Sequence, residues 1–357
     1  MLSNEKIIEI REHLERAQNP IFFFDNDIDG LISFILLRRF LGVGKGIAIK
    51  SFPELDESYI RKIDEFNADY VFILDKPLIS RKFAEEIIKK NIPIVWIDHH
   101  NIKNEIKNIS EIIKNKLINY YNPIFSNNPT NEPTSFISYE ITKRREDMWL
   151  AMAGCIGDNF LPNFSDEFSK KYPEIWKKDA KSAFEILYES ELGKLILILD
   201  FALKDKTSNV VAMMNFLFNV KFPNDILIEN EHNLKIISRY KSVNKVYQKL
   251  IERAKKVART HKKIVFFHYG GDISLSANLA NELSFRFPGK TILIAYIKGE
   301  IANISIRGGG DIRKTTLKAI KRIPTASGGG HKNATGAKMR ASSLKDFVKI
   351  FEDEFEK

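Results

Sequence analysis

Acidic and histidine side chains follow short apolar runs at three places in the first hundred residues. Ile21–Phe24 is followed by Asp25-Asn26-Asp27-Ile28-Asp29-Gly30, Tyr70–Leu74 by Asp75, and Ile92–Ile97 by Asp98-His99-His100. Clustered carboxylates repel one another strongly in a partly buried place, and a divalent cation is the usual way to balance them. Carboxylate oxygen mixed with imidazole nitrogen suits manganese, iron, cobalt or zinc better than calcium. The three segments together therefore predict a metal site of this kind.

Each segment has a simpler interpretation when it is taken alone. A DxDxDG run is often a calcium loop or a turn, and a lone His commonly lies on the surface or in the core. An EF-hand is disfavoured because the apolar helical stretch Leu31–Leu37 follows at once, and because the bidentate Glu expected late in a calcium loop is missing. The metal interpretation therefore depends on the three segments meeting.

A fourth acid, Asp158, follows the small-residue stretch AMAGCIG. Small side chains let a helix approach another backbone closely, which would bring Asp158 to the other acids. Taken alone, Asp158 is an ordinary acid at the end of a helix.

The elements that must position these residues alternate between strand and helix. Unbroken β-branched and aromatic runs separated by helical patterns are typical of a buried parallel sheet built from βαβ units. Ligands bind outside the carboxyl ends of the strands in such a sheet, which is where the three segments lie. The further predictions for this part are a strand at Gly46–Ile49, helices at Glu5–Arg16, Leu31–Leu41, Tyr59–Glu65, Ser80–Lys90, Ile109–Lys116 and Ser135–Asp158, and a loop at Asn122–Thr134.

Helical periodicity dominates residues 165–262, where Glu229–Thr260 predicts one long amphipathic helix or two in tandem. Alternation then returns, with strands at Lys263–Tyr269, Thr291–Lys298 and Ile301–Ile306 and helices at Leu275–Phe287, Asp311–Ile323 and Ser343–Phe355. We predict an α/β fold in three parts: an N-terminal parallel-sheet domain at residues 1–190, a helical connector at 191–262 and a smaller C-terminal α/β domain at 263–357.

The charge of the chain is concentrated near its C-terminal end. The 357 residues include 56 Lys and Arg against 46 Asp and Glu, a net of +10, and residues 258–357 alone hold 18 against 9. Such an excess is typical of a protein with a polyanionic partner, and it is equally consistent with a solvated Lys-rich surface.

Composition also excludes several classes of protein. The single Cys155 argues against a disulfide framework and a Cys-rich zinc site. No apolar run approaches the roughly 20 residues that span a bilayer. We therefore expect a cytoplasmic protein without a membrane partner, and the sequence indicates no particular oligomeric state.

Five motifs, in this order, resemble the DHH phosphoesterase superfamily and its RecJ-like branch. They are DNDIDG at residues 25–30, FILD at 72–75, IDHHN at 97–101, GCIGD at 154–158 and SGGGH at 327–331. The last is similar to the GGGH signature of the C-terminal DHH-associated domain of RecJ nucleases and oligoribonucleases. The resemblance covers residues 20–160 and 260–340 best, and it implies that the N-terminal domain is catalytic and the C-terminal one binds substrate.

The resemblance implies a two-metal hydrolase. Asp27 and Asp29 would each hold one metal, Asp75 would bridge the two, and His99 and Asp158 would complete the second site. The implied cofactors are two divalent cations, Mn²⁺ first, with Mg²⁺ or Co²⁺ as alternatives. Such a pair generates a hydroxide and clamps the attacking and leaving oxygens of phosphoryl transfer.

The other two residues of the DHH triplet have supporting roles in the resemblance. His100 would contact the scissile phosphate or protonate the leaving group. Asp98 would orient a neighbouring imidazole.

Two positions depart from the family pattern. Many members have a His two positions before the DxDxDG run, where this chain has Phe23. Either Asp25 takes over as a ligand, as the RecJ-like branch suggests, or the first metal is held weakly. Lys76 stands after Asp75, where a small or acidic residue is expected, so that its ammonium would either dampen metal affinity or point to solvent.

The C-terminal domain would hold the substrate. Gly328, Gly329 and Gly330 can present consecutive backbone N–H groups to a phosphate, and His331 adds a side-chain donor. Arg307 ends a predicted strand and suits bidentate binding of phosphate or carboxylate. Tight turns are the alternative explanation of the glycine runs at 308–310 and 328–330.

The leading functional prediction is a metal-dependent phosphodiesterase or exonuclease that hydrolyses single-stranded DNA or RNA, resembling RecJ and its roles in DNA repair and replication. One alternative is a small-substrate DHH phosphoesterase: an oligoribonuclease that acts on short oligonucleotides, a nucleotide bisphosphatase or a cyclic-dinucleotide phosphodiesterase. Another is a non-catalytic replication scaffold. The retained acids and His99 favour catalysis, and a replisome partner is compatible with an active enzyme.

Overall fold

The computed structural model describes residues 1–51, 54–102, 106–261 and 263–356. Two compact units make up the chain, the first from residue 1 to 240 and the second from residue 241 onward. The predicted three-part division, with boundaries at residues 190 and 262, stays a prediction, and its end points 262 and 357 lie outside the described residues.

The strands of unit 1 are β1 (Pro20–Asp25), β2 (Lys45–Ile49), β3 (Glu54–Leu55), β4 (Tyr70–Leu74), β5 (Leu78–Ile79), β6 (Ile94–Ile97) and β7 (Ile118–Tyr121). Five of them form a parallel sheet in the order β2-β1-β4-β6-β7, while β3 and β5 pair with each other. The predicted buried parallel sheet is thereby confirmed.

The helices of unit 1 are α1 (Asn4–Arg16), α2 (Ile28–Leu41), α3 (Ile60–Glu65), α4 (Arg81–Lys89), α5 (Ile106–Ile113), α6 (Thr134–Thr142), α7 (Met148–Gly157), α8 (Ser165–Lys171), α9 (Ala183–Glu189), α10 (Glu191–Leu203), α11 (Thr207–Leu217) and α12 (Asn224–Leu227). Helix α13 (Leu234–Thr260) spans the division between the units. In the described part of the chain, no helix is both long enough and apolar enough to cross a bilayer.

Helices cover both faces of the parallel sheet, which is why its strands are apolar throughout. In β1, Phe22 and Phe24 belong to a large core that also contains residues of α2, α6, α7 and α10. Ile21 and Phe23 point the other way, into a second core with residues of α3 and α4. The period-two alternation of a strand therefore divides four consecutive apolar residues between two cores.

Unit 2 is built on a second five-stranded sheet. Its strands are β8 (Ile264–Gly270), β9 (Thr291–Lys298), β10 (Ile301–Arg307), β11 (Ser327–Gly330) and β12 (Ala334–Arg340), in the order β11-β12-β10-β9-β8. Only the β8–β9 pair is parallel. Its further helices are α14 (Ser276–Arg286), α15 (Ile312–Lys321) and α16 (Leu344–Phe355). The predicted smaller C-terminal α/β domain is therefore confirmed as a fold.

The elements differ from the sequence prediction in several places. The span Ser135–Asp158 is two helices, α6 and α7, because the chain leaves the helical conformation at Lys143, whose φ is 50°. The span Glu229–Thr260 contains one helix that starts at Leu234. Strands β3, β5, β7 and β12 were not predicted. The glycine run at 328–330, for which a tight turn was the alternative to phosphate binding, lies in the edge strand β11 (Ser327–Gly330).

Candidate metal centre

Three neighbouring strands end at the same edge of the first sheet. The register pairs Phe24 with Leu74, and Leu74 with Ile97, so that Asp25, Asp75 and Asp98 follow at equivalent positions. Strand order reverses between β1 and β4, because β2 lies on one side of β1 and β4 on the other. A crevice forms at the carboxyl ends of parallel strands where the order reverses. The fold therefore gathers the predicted acids at the position where open α/β sheets bind ligands.

Asp29 is buried in the first turn of α2 and forms the N-terminal cap of a different helix. Its Oδ2 accepts a hydrogen bond from the backbone N–H of Thr134 and its Oδ1 one from that of Ser135, both at 2.8 Å. These are the first residues of α6, which starts after Pro133 and has no side-chain cap of its own. A helix N-terminus interacts favourably with a carboxylate, so α6 holds the side chain of Asp29 in place.

Asp75 is buried directly after β4, in the left-handed conformation with φ 58°. Its backbone N–H donates to Ile97 O at 2.9 Å, which fixes the side chain toward the site. In the described part of the chain, its buried Oδ1 accepts no hydrogen bond of acceptable geometry. Burial and the charges of neighbouring acids, chiefly Asp29 and Asp27, raise the pKa of Asp75 well above its usual value. Such an oxygen is what a bound cation would satisfy.

His99 is the centre of this group of acids. Its Nε2 lies 3.3 Å from Asp75 Oδ1, 3.7 Å from Asp158 Oδ2 and 3.9 Å from Asp29 Oδ2. One ligand atom each from Asp29, Asp75 and His99 lie within 4.8 Å of one another, and all three residues are buried. Mixed carboxylate and imidazole donors at this spacing fit a divalent transition metal or Mg²⁺. Asp29, Asp75, His99 and Asp158 are called the DDHD cluster below.

Close approach of α7 to α6 brings Asp158 into this cluster. Asp158 ends α7, and its carboxylate is 35% exposed. Gly154, one turn earlier, faces α6 so closely that an added Cβ would lie 2.5 Å from the Cβ of Ser135. Only glycine fits there, because real Cβ atoms do not approach side chains so closely. The small residues of α7 thus bring Asp158 close to the N-terminus of α6, where Asp29 accepts its two backbone hydrogen bonds.

Asp25 and Asp27, the other carboxylates of the DNDIDG segment, are more exposed than Asp29. Asp27 caps its own helix, α2, through a 3.0 Å hydrogen bond from the N–H of Gly30 to Oδ1. The residue is exposed as a whole, but desolvation of its carboxyl and the charges of Asp25 and Asp29 raise its pKa to about 7. Gly30 has no room for a side chain, since a Cβ would meet the carbonyl oxygen of Asp25. The segment is therefore a tight strand-to-helix turn.

Phe23 and Lys76 occupy the two positions that depart from the family pattern. Phe23 is fully buried, and its ring makes edge contacts with Phe83 and Tyr59 at centroid distances of 5.7 and 6.0 Å. It is a core residue. Lys76 is buried, and its Nζ lies 3.2 Å from Asp25 Oδ1. Its ammonium therefore points into the site and not to solvent.

Asp98 and His100 form a pair of their own. His100 Nδ1 lies 2.7 Å from Asp98 Oδ1, and Asp98 Oδ2 accepts from the His100 N–H at 3.1 Å and from Asn122 Nδ2 at 3.2 Å. Burial disfavours the charged imidazole, but Asp98 outweighs it and raises the pKa of His100 to about 9. Burial likewise opposes the charge on Asp98, yet His100 lowers its pKa. At neutral pH the pair is a carboxylate and an imidazolium.

In unit 2, the predicted substrate residues lie on the second sheet. Arg307 ends β10, where its Nε donates to Asn281 Oδ1 at 2.5 Å and its Nη1 to the carbonyl of Ile306 at 2.9 Å. Gly328, Gly329 and Gly330 form β11, whose outer side faces no other strand in the described chain. His331 starts the turn into β12, with its N–H bonded to the carbonyl of Ala334 at 2.8 Å. The glycine run therefore forms the edge strand of the sheet, and His331 begins the turn that follows it.

Several partners of the site were not predicted from the sequence. They are Thr134 and Ser135, whose backbone N–H groups donate to Asp29, Tyr120 and Asn122, which contact Asp98, and Ser51, which accepts from Lys76. No sequence pattern marks Thr134 and Ser135, which act through backbone N–H groups, or Ser51, which acts through its backbone carbonyl.

Residues 260–357 match the family model of the DHHA1 domain. No curated protein sequence matches the chain. Among solved structures, the chain is similar to RecJ from Thermus thermophilus in complex with Mn²⁺, with a TM-score of 0.66 and 14% identity over 98% of this chain and 54% of that one. It is also similar to exonuclease RecJ bound to manganese, with a TM-score of 0.61 and 14% identity over 98% and 93%.

A third similar structure is CDC45 from Entamoeba histolytica, with a TM-score of 0.52 and 12% identity over 99% of both chains. The chain spans about half the length of Thermus thermophilus RecJ. At these identities the similarity is one of fold. Together with the DHHA1 match, it confirms the fold class and the resemblance that the five motifs indicated.

Proposed function

We propose that this chain, which has a RecJ-like fold and a C-terminal DHHA1 domain, is a divalent-cation-dependent phosphodiesterase of the DHH superfamily that acts on single-stranded nucleic acid. The observation that carries this proposal is the DDHD cluster. Four potential ligands from the ends of β1–α2, β4, β6 and α7 meet at one point, and a buried oxygen of Asp75 accepts no hydrogen bond in the described chain. Burying several carboxylates together costs stability. Such a cluster is therefore expected where the carboxylates bind a cation.

Asp29, Asp75, His99 and Asp158 would hold the cation, with Asp27 beside them. A bound Mn²⁺, or Mg²⁺ or Co²⁺, would lower the pKa of a water and polarise a phosphoryl oxygen. The chain itself contributes orientation: α6 fixes Asp29, and the backbone bond to Ile97 fixes Asp75. Both carboxylates are therefore held in place before a ligand arrives.

His100 would supply the proton of the reaction. Asp98 holds its Nδ1, so Nε2 is the nitrogen that would act on a substrate oxygen. Because its pKa is raised to about 9, the imidazole carries a proton at neutral pH. A protonated imidazole can bind a phosphate oxygen and donate to a leaving group. Asp98 is a positioning residue in this scheme.

The charge distribution favours a polyanionic substrate such as a nucleic acid. Residues 241–357 contain 24 Lys and Arg against 10 Asp and Glu, a net of +14, while residues 1–240 contain 32 against 36, a net of −4. In α13, residues 241–260 contribute seven Lys and Arg and a single acid. Exposed Lys245, Lys249 and Arg253 recur every four residues, about 6 Å apart along the helix. Such a row suits a phosphate backbone.

Within unit 2, Arg307, the β11 edge of Gly328, Gly329 and Gly330, and His331 would contribute phosphate contacts. The outer edge of β11 leaves backbone groups available to a ligand, as expected for a strand with a neighbour on one side only. Arg307 is held by Asn281, which sets the direction of its guanidinium.

The proposal is tested by hydrolysis of end-labelled single-stranded DNA, single-stranded RNA, dinucleotides and bisphosphorylated nucleotides, with and without Mn²⁺. We expect Mn²⁺-dependent shortening of the long single strands. Hydrolysis of dinucleotides or bisphosphorylated nucleotides alone would favour the small-substrate alternative. Absence of hydrolysis in a protein that binds Mn²⁺ would favour a scaffold that works with a replisome partner.

A further inference from the structure

Lys76 is the one lysine among the largest fully buried side chains of the described chain. Its side chain is 2% exposed. Its Nζ donates to Asp25 Oδ1 at 3.2 Å and to the backbone carbonyl of Ser51 at 2.9 Å. An ammonium group is costly to bury unless it is paired and hydrogen-bonded, and both conditions are met here.

The backbone fixes this direction of the side chain. Trp96 Nε1 donates to the carbonyl of Lys76 at 2.7 Å, and the preceding Asp75 is locked at positive φ with its N–H bonded to Ile97. Trp96 and Ile97 belong to β6, and Asp75 directly follows the neighbouring strand β4, in the middle of the sheet. Lys76 therefore enters the site from a rigid support and not from a mobile loop.

The ion pair with Lys76 gives Asp25 a different environment from that of the other carboxylates. Asp25 has the Lys76 ammonium at 3.2 Å, whereas Asp29, Asp75 and Asp158 surround the imidazole of His99. A divalent cation at Asp25 would have to lie beside a buried ammonium of the same sign, which disfavours it. A cation in the DDHD cluster meets four donor groups.

The side of the site near Asp25 is also poor in other ligands. Phe23, two residues earlier, is a fully buried core residue and offers no ligand atom. Asp27 uses Oδ1 to cap α2. Phe23 therefore adds no ligand there, and one carboxylate oxygen of Asp27 is engaged in the helix cap.

We propose that the ammonium of Lys76 takes the place of one divalent cation, so that this chain binds a single divalent cation, in the DDHD cluster. This inference rests on the proposed function, because it concerns the same centre. It departs from the two-cation occupancy that the sequence resemblance implies. It assigns to Lys76 the role of a permanent counter-charge for Asp25.

The test counts the ions bound by the full chain. Chelator-treated protein is titrated with MnCl₂ by calorimetry, and the bound Mn²⁺ is measured by mass spectrometry of the metal after gel filtration. Lys76→Met removes the ammonium, and Lys82→Met is the matched control because Lys82 is 68% exposed. We expect one Mn²⁺ per chain for the unmodified protein and for Lys82→Met, and two for Lys76→Met.

Electron paramagnetic resonance provides a second readout, independent of activity. One isolated Mn²⁺ shows resolved hyperfine structure, whereas two neighbouring ions show an exchange-coupled spectrum. The unmodified chain should give the first and Lys76→Met at saturating Mn²⁺ the second. Since the unmodified chain needs no substitution, its own spectrum decides the question if Lys76→Met fails to fold.

The outcomes separate this inference from the proposed function. Two Mn²⁺ per unmodified chain would overturn the inference and leave the phosphodiesterase proposal standing. One Mn²⁺ in both the unmodified chain and a folded Lys76→Met would also overturn it, because Lys76 would then not limit occupancy. No bound Mn²⁺ in the unmodified chain would overturn the proposed function as well.

Discussion

The imidazole of His100 and the carboxylate of Asp98, two residues apart, form a 2.7 Å contact in which each group sets the charge of the other. Asp98 raises the pKa of His100 to about 9, and His100 holds the pKa of Asp98 below its usual value. The pair is anchored by Asn122, whose side-chain amide reaches both Asp98 Oδ2 and the carbonyl of His100. A proton donor is thereby kept beside a group of acids without losing its proton to them.

Replacing Asp98 with Asn should lower the pKa of His100 toward the ordinary value of 6.5, since the Asp98 charge is the main force that raises it. The raised pKa also stabilises the folded metal-free chain, by about 3 kcal/mol for a change from 6.5 to about 9. This stabilisation is fully present below pH 6.5 and is lost as pH rises through about 9. NMR titration of the imidazole and urea unfolding at about pH 6 and about pH 10 measure the two effects.

Asn122→Ala is the control for that experiment, because it removes an anchor and leaves the charge. We expect it to shift the pKa of His100 much less than Asp98→Asn does. Equal shifts in the two variants would show that packing and not charge sets the protonation of His100.

Replacing Asp75 with Asn should abolish Mn²⁺-dependent turnover and yet stabilise the metal-free protein. Burial and neighbouring acids raise the pKa of Asp75, so its ionised form is strained in the folded chain. An acid whose pKa is raised on folding destabilises the fold above its unfolded pKa, and this penalty disappears as pH falls and both states are protonated. Asn tolerates the positive φ of this position.

Thermal unfolding of chelator-treated protein near neutral pH measures this gain, and a second series at low pH should show the difference vanish. The exposed Asp64, which pairs with Lys90, gives the matched control Asp64→Asn. A lower unfolding temperature for Asp75→Asn than for Asp64→Asn would contradict the repulsion argument. Near-normal turnover in Asp75→Asn would remove Asp75 from the metal ligands.

The strand ends were predictable because their signal is local. An unbroken apolar run that ends in an acid marks a buried strand and its carboxyl edge, whatever the rest of the chain does. Asp25, Asp75 and Asp98 therefore fall at one edge of the sheet, as expected from β1, β4 and β6. The DHH motif and the DxDxDG turn add the remaining candidates.

The support of the site was not predictable, because it joins residues that are distant in the sequence. Asp29 caps a helix that starts 105 residues later, and the periodicity of neither segment records that bond. The end of α6 at Lys143 was not predictable either. Lys143 is neither Gly nor Pro, so the helical pattern of the sequence continues through it. In β11, the glycines suggested a turn because Gly weakens strands, but pairing with β12 outweighs that preference.

Replacing Gly154 with Ala should separate α7 from α6 and damage the metal centre at a distance. The added methyl would lie 2.5 Å from the Cβ and Oγ of Ser135, so one helix must shift. Overpacking of this kind destabilises by about 1–3 kcal/mol. Because Asp158 ends α7 and the N–H of Ser135 holds Asp29, we also expect weaker Mn²⁺ binding. Urea unfolding and calorimetry measure the two losses.

Ser135→Gly provides a rescue for that substitution. It removes the side chain that the new methyl would meet and keeps the backbone N–H that donates to Asp29. The double variant should recover much of the Mn²⁺ affinity that Gly154→Ala removes. If the two losses simply add, the close approach of the helices is not what places Asp158.

Reversing charge on α13 should weaken binding of single-stranded nucleic acid without affecting the metal centre. Lys245 and Lys249 are exposed one turn apart, and neither forms an ion pair in the described part of the chain. Removing one phosphate contact to a single strand reduces the slope of log affinity against log salt by about 0.7. We expect the double variant Lys245→Glu/Lys249→Glu to bind a fluorescent oligonucleotide more weakly and with a shallower salt dependence, measured by anisotropy.

The control for this variant changes the same charge on another helix of the same unit. Lys345 and Lys349 are also exposed and four residues apart, but α16 carries Asp346, Glu352, Asp353 and Glu354 around them. Lys345→Glu/Lys349→Glu should therefore leave the salt slope nearly unchanged. If both double variants weaken binding equally, net charge and not the row on α13 attracts the polyanion. If neither double variant weakens binding, the exposed face of α13 is a solvated surface, and other groups must bind the single-stranded nucleic acid.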